Sequence, residues 1–160
     1  MSVDPPPDLI LDRLQSLGIT LPPAPQPVAA YVPAVRSGSF LFVSGQIPFR
    51  DGELLARGPV PSEVDVDRAT AAARQCALNG IAVAAAALEG RLDRVLRVIR
   101  VGVFVACDPG FEQQPQVANG ASELLQQVFG EKGRHARAAV GAPSLPRGAT
   151  VEVELLLEVE

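Results

Sequence analysis

The sequence predicts an α+β fold, with one sheet and both long helices on one face of that sheet. Segments rich in apolar and β-branched residues occur in neighbouring pairs, and two longer segments repeat apolar residues every three or four positions. The chain lacks the Gly-x-Gly-x-x-Gly pattern that is typical of a doubly wound nucleotide-binding fold. Paired strands together with two long helices therefore favour the α+β class.

The chain has 160 residues, which is the size of one domain. Hydrophobic residues make up 48% of it and charged residues 20%, and this composition excludes wholesale disorder. The formal net charge is −4 without a clear basic patch, which argues against a nucleic-acid partner. No apolar stretch reaches the length of a membrane span, and the N-terminus lacks the features of a secretory signal. We therefore expect a soluble cytoplasmic protein.

Residues 1–27 are predicted to precede a main domain at residues 28–160. A short tail is followed by a helix that Asp8 caps and Gly18 ends. The apolar positions of this helix follow helical spacing: Leu9, Ile10, Leu14 and Leu17. Four prolines within residues 21–27 then predict an extended segment, because proline cannot continue a helix.

The main domain begins with two strand-like runs, at residues 29–35 and 40–44, which an Arg-Ser-Gly-Ser turn joins. Pro33 makes the first of them an edge strand or a bulged strand, since proline has no N–H to donate to a ladder. Frequent proline and glycine predict a loop at residues 45–61, with one short strand at 53–56.

The clearest helix spans residues 62–88, with Ser62 as its N-cap and carboxylates in its first turns. A long strand of β-branched residues follows at 92–107. The second long helix covers residues 114–129 and ends before Gly130.

The chain ends with two strands, predicted at residues 136–141 and 150–159. Alternation in the final strand divides its residues between two faces. One face carries Val151, Val153 and Leu155, and the other carries Glu152, Glu154 and Leu156.

The sequence lacks the usual catalytic motifs. It has no Walker A pattern, no Gly-x-Ser-x-Gly and no His or Cys spacing for a metal, so we expect no metal site. His135 is the only histidine, and it is either a proton carrier or an ordinary solvated residue at a loop end. Cys76 and Cys107 lie in apolar surroundings and are expected to be free, buried thiols.

Three charged residues near the C-terminus are the strongest candidates for chemistry. Arg137 opens an apolar strand, so it either pairs with Glu152 or Glu154 or presents its guanidinium to an anionic ligand. Glu152 is an ordinary surface carboxylate if its face is solvated. If that face meets another subunit, burial would raise the pKa of Glu152 and allow it to act as a base.

Ser44 and Gly45 end an apolar strand, where they either line a pocket or form a turn.

Several of these segments together resemble the RidA family of reactive intermediate deaminases, also called YjgF-like or endoribonuclease L-PSP-like proteins. The matching pieces are Leu-Phe-Val-Ser-Gly-Gln-Ile-Pro at 41–48, Asn79, Asn119, Ala-Arg-Ala-Ala-Val at 136–140, and Leu-Pro-Arg-Gly-Ala-Thr-Val-Glu-Val-Glu at 145–154. The resemblance covers about residues 31–159, and the C-terminal run is its most specific part.

The resemblance implies a chorismate-mutase-like α+β fold with one mixed sheet, a homotrimer, and ligand clefts between subunits. Deaminases of this family hydrolyse reactive enamines and imines, such as 2-aminoacrylate, to 2-keto acids and ammonia without a metal or organic cofactor. The resemblance assigns the substrate carboxylate to Arg137 and the positioning of the attacking water to Glu152. Further residues that fall at ligand-binding positions are Tyr31, Ser44, Gly45, Asn119 and Ala139.

Several departures from the family pattern indicate a divergent branch. Ala139 stands where cysteine is common in the family, and His135 stands where proline is frequent. The N-terminal helix and the proline-rich segment after it are additions to the minimal family pattern, and the loop at residues 108–116 is longer than usual.

Two other functions compete with deamination. One is a binding protein for carboxylate metabolites that does not turn its ligand over. The other is a ribonuclease, which the acidic charge and the single histidine disfavour, because RNA cleavage normally uses two proton carriers.

Overall fold

The computed structural model describes residues 9–25 and 30–160, and the statements below concern these residues. The helices are α1 (Leu9–Ser16), α2 (Val66–Ala87) and α3 (Gln114–Phe129). The strands are β1 (Ala34–Ser37), β2 (Phe40–Gln46), β3 (Phe49–Arg50), β4 (Glu53–Leu54), β5 (Val95–Ala106), β6 (Ala136–Ala142) and β7 (Val151–Val159). Short 3₁₀ turns occur at Leu92–Arg94, Gly130–Gly133 and Pro146–Gly148.

The main sheet has five strands in the order β1-β2-β7-β5-β6. Only β5 and β6 run parallel to each other, and the other neighbours are antiparallel. Strands β3 and β4 form a separate two-stranded ribbon. Helix α2 packs against β2 and β7, helix α3 packs against β5 and β6, and the two helices pack against each other. The predicted α+β fold, with a mixed sheet and both long helices on one face, is confirmed.

The last strand shows how the sheet separates a buried face from an open one. Along β7 every second residue is fully buried and the residues between are half-buried. The buried set includes Val151, Val153 and Leu155, which belong to one apolar core with both long helices. Glu152 and Glu154 therefore lie on the open face, as the alternation predicts.

Small residues bring α2 and α3 into close contact. A side chain at Gly120 in α3 would collide with the backbone carbonyl of Thr70 in α2. At Gly80 in α2 an added methyl group would meet only the tip of the Leu155 side chain, 2.8 Å from its Cδ1. At Gly120 the lack of a side chain is therefore needed for the two helix backbones to approach each other. At Gly80 it only leaves room for the movable tip of the Leu155 side chain.

The start of α2 differs from the prediction. Ser62 does not cap this helix, which begins four residues later, at Val66. Asp65 is the N-cap, because its carboxylate accepts a hydrogen bond of 2.7 Å from the Arg68 N–H. Ser62 instead donates its hydroxyl to Asp108 over 3.1 Å, which ties the preceding loop to the end of β5.

The N-terminal hairpin is shifted relative to the predicted strands. Strand β1 begins after Pro33 and continues through Ser37, so the turn consists of only two residues, Gly38 and Ser39. The Pro33 carbonyl still accepts from the Ser44 N–H over 2.9 Å, although proline itself has no N–H for the ladder. On the other side, β2 extends to Gln46, beyond the predicted end at residue 44.

Some of the other element boundaries also differ from the predicted ones by a few residues. The predicted loop 45–61 contains two short strands, β3 and β4, where one was expected at residues 53–56. The first three residues of the predicted strand 92–107 form a 3₁₀ turn, whereas the helix at 114–129 is confirmed. In the N-terminal part, α1 is confirmed, and Ile10 and Leu14 are buried in the main core. The proposed cap Asp8 and the start of the first predicted strand lie outside the described residues.

Among the described helices, none is both long enough and apolar enough to cross a membrane.

The two buried helix glycines provide a matched test of the packing. Alanine at either position gains about 1 kcal/mol of helix propensity. We expect Gly120→Ala nevertheless to lower the free energy of unfolding by about 1–3 kcal/mol, since the collision is with backbone. Gly80→Ala should stay within about 1 kcal/mol of the wild type, because the tip of Leu155 can move. Urea denaturation at one protein concentration measures both, and equal effects would contradict this account.

Candidate functional site

Arg137 lies on the edge strand β6 and reaches back to helix α3. Its partner in the ladder is Val101, which is buried beneath the helices. Its Nη1 group donates to Asn119 Oδ1 over 2.9 Å and to Ser122 Oγ over 3.0 Å, and its Nη2 group donates to the Pro115 carbonyl over 3.4 Å. Three neutral acceptors on α3 therefore hold the guanidinium in place.

The alternative that Arg137 forms a structural ion pair with a glutamate of the last strand is wrong. Neither Glu152 nor Glu154 forms an ion pair with it, because strand β5 separates β6 from β7. Glu154 pairs instead with Arg100, at 2.8 Å. No described carboxylate lies within ion-pair distance of Arg137, and its positive charge is available to a ligand.

His135 is not the solvated loop-end residue that one interpretation of the sequence expected. Its ring is half-buried between the Gly133 carbonyl, 2.6 Å from Nδ1, and the Ser122 hydroxyl, 2.9 Å from Nε2. Burial lowers the pKa of His135, and the charge of Arg137 lowers it further, although the Gly133 carbonyl acts in the opposite direction. These contacts favour a neutral imidazole near pH 7.

A pocket of about 140 Å³ lies on the opposite side of the sheet. Glu152 lines it, together with Pro25, Tyr31, Pro33, Gly45, Gln46, Ile47, Phe49, Pro146 and Arg147. The volume is that of several water molecules, which suits a small organic ligand. Glu152 accepts no hydrogen bond from a described side chain, and burial raises its pKa, with the charge of Glu154 adding to the effect.

Gly45 makes room for the Glu152 carboxylate. A methyl group at Gly45 would overlap with Glu152 Oε1, so any other residue there would displace the carboxylate from its position. Ser44 turns away, and its hydroxyl donates to the Val32 carbonyl over 2.8 Å. Ser44 therefore supports the wall that carries Tyr31, and it does not line the pocket itself.

The candidate residues fall into two groups that a single chain does not bring together. Arg137 and Asn119 lie on the helix side of β6, where Ala139 is half-buried against the core. Tyr31, Gly45 and Glu152 line the pocket on the other side. A site that uses both Arg137 and Glu152 needs two copies of the chain.

The sequence-based prediction missed two side chains at these places. Ser122 bonds both Arg137 and His135, but a serine within an apolar helix gives no signal of this role. Arg147 lines the pocket with its guanidinium 4.8 Å from the centre of the Phe49 ring, a cation–π contact. Arg147 belongs to the C-terminal motif, and that motif could have identified it.

The two cysteines are free thiols. Cys76 is buried and Cys107 is half-buried, and burial raises the pKa of Cys76 well above its usual value. Within the described residues, no cluster of three or more His, Cys, Asp or Glu side chains could hold a metal ion.

Residues 11–159 match the family described as "YjgF/chorismate mutase-like, putative endoribonuclease". The chain belongs to this family, which is also called RidA. It is 50% identical to Protein TCP17 of Trypanosoma cruzi over 92% of both chains. It is 31% identical to a 2-iminobutanoate/2-iminopropanoate deaminase of Dermatophagoides farinae, over 89% of this chain and 95% of the relative.

The fold is also shared with a solved member of similar length. The crystal structure of a protein with unknown function from Agrobacterium tumefaciens superposes with a TM-score of 0.89 at 48% identity, covering 96% of this chain and 94% of that one. Because this superposition covers 96% of the chain, helix α1 falls within the span shared with the A. tumefaciens protein.

The environment of Glu152 predicts a pH dependence of stability. Its pKa is higher in the folded chain than in the unfolded one, so the folded chain binds more protons between the two values. This contribution to stability is present below about pH 4.3 and is lost as the pH rises through the folded pKa. Glu152→Gln should therefore be more stable than the wild type at pH 7, with the difference disappearing near pH 4.

Urea denaturation at the two pH values measures this effect. Glu158→Gln is the control, because Glu158 lies on the same strand and face but outside the pocket. A Glu152→Gln variant that is less stable than the wild type at pH 7 would show that the carboxylate is stabilised by its surroundings instead.

Proposed function

We propose that the protein is a deaminase that hydrolyses small 2-imino and 2-enamino acids to 2-keto acids and ammonia, at a cleft built by two copies of the chain. The observation that carries this proposal is the state of Arg137. Its guanidinium is held by neutral acceptors and has no described carboxylate partner, as a binding site for a small carboxylate requires. Family membership and the name of the D. farinae relative support the same activity.

The reaction needs few groups from the protein. Arg137 binds the substrate carboxylate, which fixes the position of the adjacent C=N carbon. Glu152 accepts a hydrogen bond from a water molecule and orients it toward that carbon, and its raised pKa brings its basicity closer to neutral pH. A 2-enamino acid first moves a proton from nitrogen to its terminal carbon and becomes the imine. Water then adds its oxygen to the C=N carbon and one proton to the nitrogen. The hydroxyl proton of this product passes to the nitrogen as the C–N bond breaks, which releases ammonia and leaves the 2-keto acid.

The open face of the sheet supports association with further copies. It exposes four large apolar side chains: Val35 at 52%, Phe40 at 44%, Phe42 at 49% and Val140 at 47%. The ion pair between Arg100 and Glu154 lies among them. An exposed apolar patch on a sheet is typical of an interface. We propose that this face packs in a homotrimer and that each cleft combines Glu152 of one copy with Arg137 of another.

The first test compares ammonia release from freshly generated 2-iminobutanoate and 2-aminoacrylate. We expect Arg137→Ala to lower kcat/KM by about 30-fold or more, since the substrate carboxylate loses the guanidinium that pairs with it. Arg137→Lys should be intermediate, because it keeps the charge but loses the planar fork.

Arg134→Ala is the matched control. Arg134 is 73% exposed and makes only a surface ion pair of 3.7 Å with Glu131, so its loss should leave the rate unchanged. Full activity of Arg137→Ala would refute the proposed carboxylate site. Binding of 2-oxobutanoate without ammonia release by the wild type would favour the metabolite-binding alternative.

A second test addresses the two-copy site. We expect Arg137→Ala and Glu152→Gln each to have strongly reduced activity alone and to regain activity when refolded together. In randomly mixed trimers, about a quarter of the clefts would combine an intact Arg137 with an intact Glu152, which sets the upper limit of recovery. No recovery in mixed trimers that light scattering shows to have formed would mean that both residues act from one copy.

A further inference from the structure

The only histidine of the chain takes part in an ordered series of hydrogen bonds that ends at Arg137. The Gly133 carbonyl can only accept, so His135 Nδ1 must carry a hydrogen and donate it. In a neutral ring Nε2 is then an acceptor, and the hydrogen between it and Ser122 Oγ comes from the serine hydroxyl. The backbone of residue 133 thereby selects the tautomer of the imidazole.

This arrangement determines what the serine offers to Arg137. A hydroxyl has one hydrogen and two lone pairs. With its hydrogen directed to His135, Ser122 turns lone pairs toward Arg137 Nη1, 3.0 Å away. Without an acceptor at His135, the hydroxyl would bond a carbonyl of its own helix instead, as serine within helices often does.

The guanidinium is consequently held along one side. Three of its five N–H groups are directed at Asn119, Ser122 and Pro115. The Nε–H and one Nη2–H have no hydrogen-bond partner among the described residues. In a guanidinium, Nε–H and Nη2–H groups can lie side by side along one edge of the plane. That edge matches the two oxygens of a carboxylate.

We propose that His135 is a positioning residue, which through Ser122 fixes the rotation of the Arg137 guanidinium so that its Nε–Nη2 edge is presented to the substrate carboxylate. The proposal rests on the function proposed above for Arg137. A charged imidazole would not serve, because Nε2 would then also donate and the Ser122 oxygen would stand between two cations. Burial and the charge of Arg137, which lower the pKa of His135, keep the ring in the neutral form.

Three substitutions separate this role from simple packing. His135→Leu removes the acceptor, Ser122→Ala removes the bridging oxygen, and His135→Gln keeps an oxygen that can accept from Ser122. Glu131→Gln is the control, because the Glu131 side chain is 87% exposed, pairs with Arg134 at 3.7 Å and does not line the surface depression around Arg137. We expect His135→Leu and Ser122→Ala to weaken binding of 2-oxobutanoate about tenfold in calorimetry. His135→Gln should recover most of the affinity, and Glu131→Gln should match the wild type.

A second measurement does not depend on any ligand. In ¹⁵N-labelled protein the single imidazole should show a protonated Nδ1 and an unprotonated Nε2 at pH 7. Restricted rotation of the Arg137 guanidinium should keep its Nη1 and Nη2 signals separate in the wild type and in His135→Gln. The two signals should average in His135→Leu and Ser122→Ala.

The two measurements distinguish the possible failures. A wild type that neither binds 2-oxobutanoate nor releases ammonia would overturn the proposed function, while the ¹⁵N spectra still decide the role of His135. An Nε2–H tautomer, or Arg137 signals that stay separate in His135→Leu, would overturn the positioning proposal even if the deaminase activity is present.

Discussion

The central strand β5 is the constraint on which the candidate site depends. It is hydrogen-bonded to β6 on one side and to β7 on the other. Val101 of β5 pairs with both Arg137 and Leu155, so Arg137 shares the helix-covered face with a core leucine. Phe104, three residues further, pairs with Glu152 on the open face. Because side chains alternate along strands, no local rearrangement can bring Arg137 and Glu152 of one chain together.

The two faces give the two charges opposite surroundings. Arg137 is exposed at a sheet edge and receives neutral hydrogen-bond partners, which orient the charge without neutralising it. Glu152 is half-buried near a second carboxylate, which favours its protonated form. A cleft between two copies would place an oriented cation opposite a carboxylate that has little else to bind. In such a cleft the Arg137 guanidinium would be free to bind the substrate carboxylate, and the Glu152 carboxylate would be free to accept a hydrogen bond from water.

The sequence predicts what depends on local spacing. The helix at 114–129 and the alternation of β7 follow from periodicity that tertiary contacts only reinforce. The alternative in which Arg137 pairs with a glutamate of the last strand depends on strand order, and it fails because β6 and β7 are consecutive in sequence but not adjacent in the sheet. The predicted cap of α2 is the wrong residue because Ser62 and Asp65 are equally good caps, and only the loop contact of Ser62 to Asp108 decides between them.

Helix α3 links the stability of the fold to the geometry of the site. One side of it is held against α2, where Gly120 lets the helix backbones approach. Asn119 and Ser122, which lie close to Gly120 in the sequence and three residues apart, point to the other side of α3. Both accept a hydrogen bond from the same nitrogen of Arg137, Nη1. A shift of α3 away from α2 would therefore move both acceptors relative to β6. Close packing of α2 and α3 therefore also fixes the direction in which the Arg137 guanidinium points.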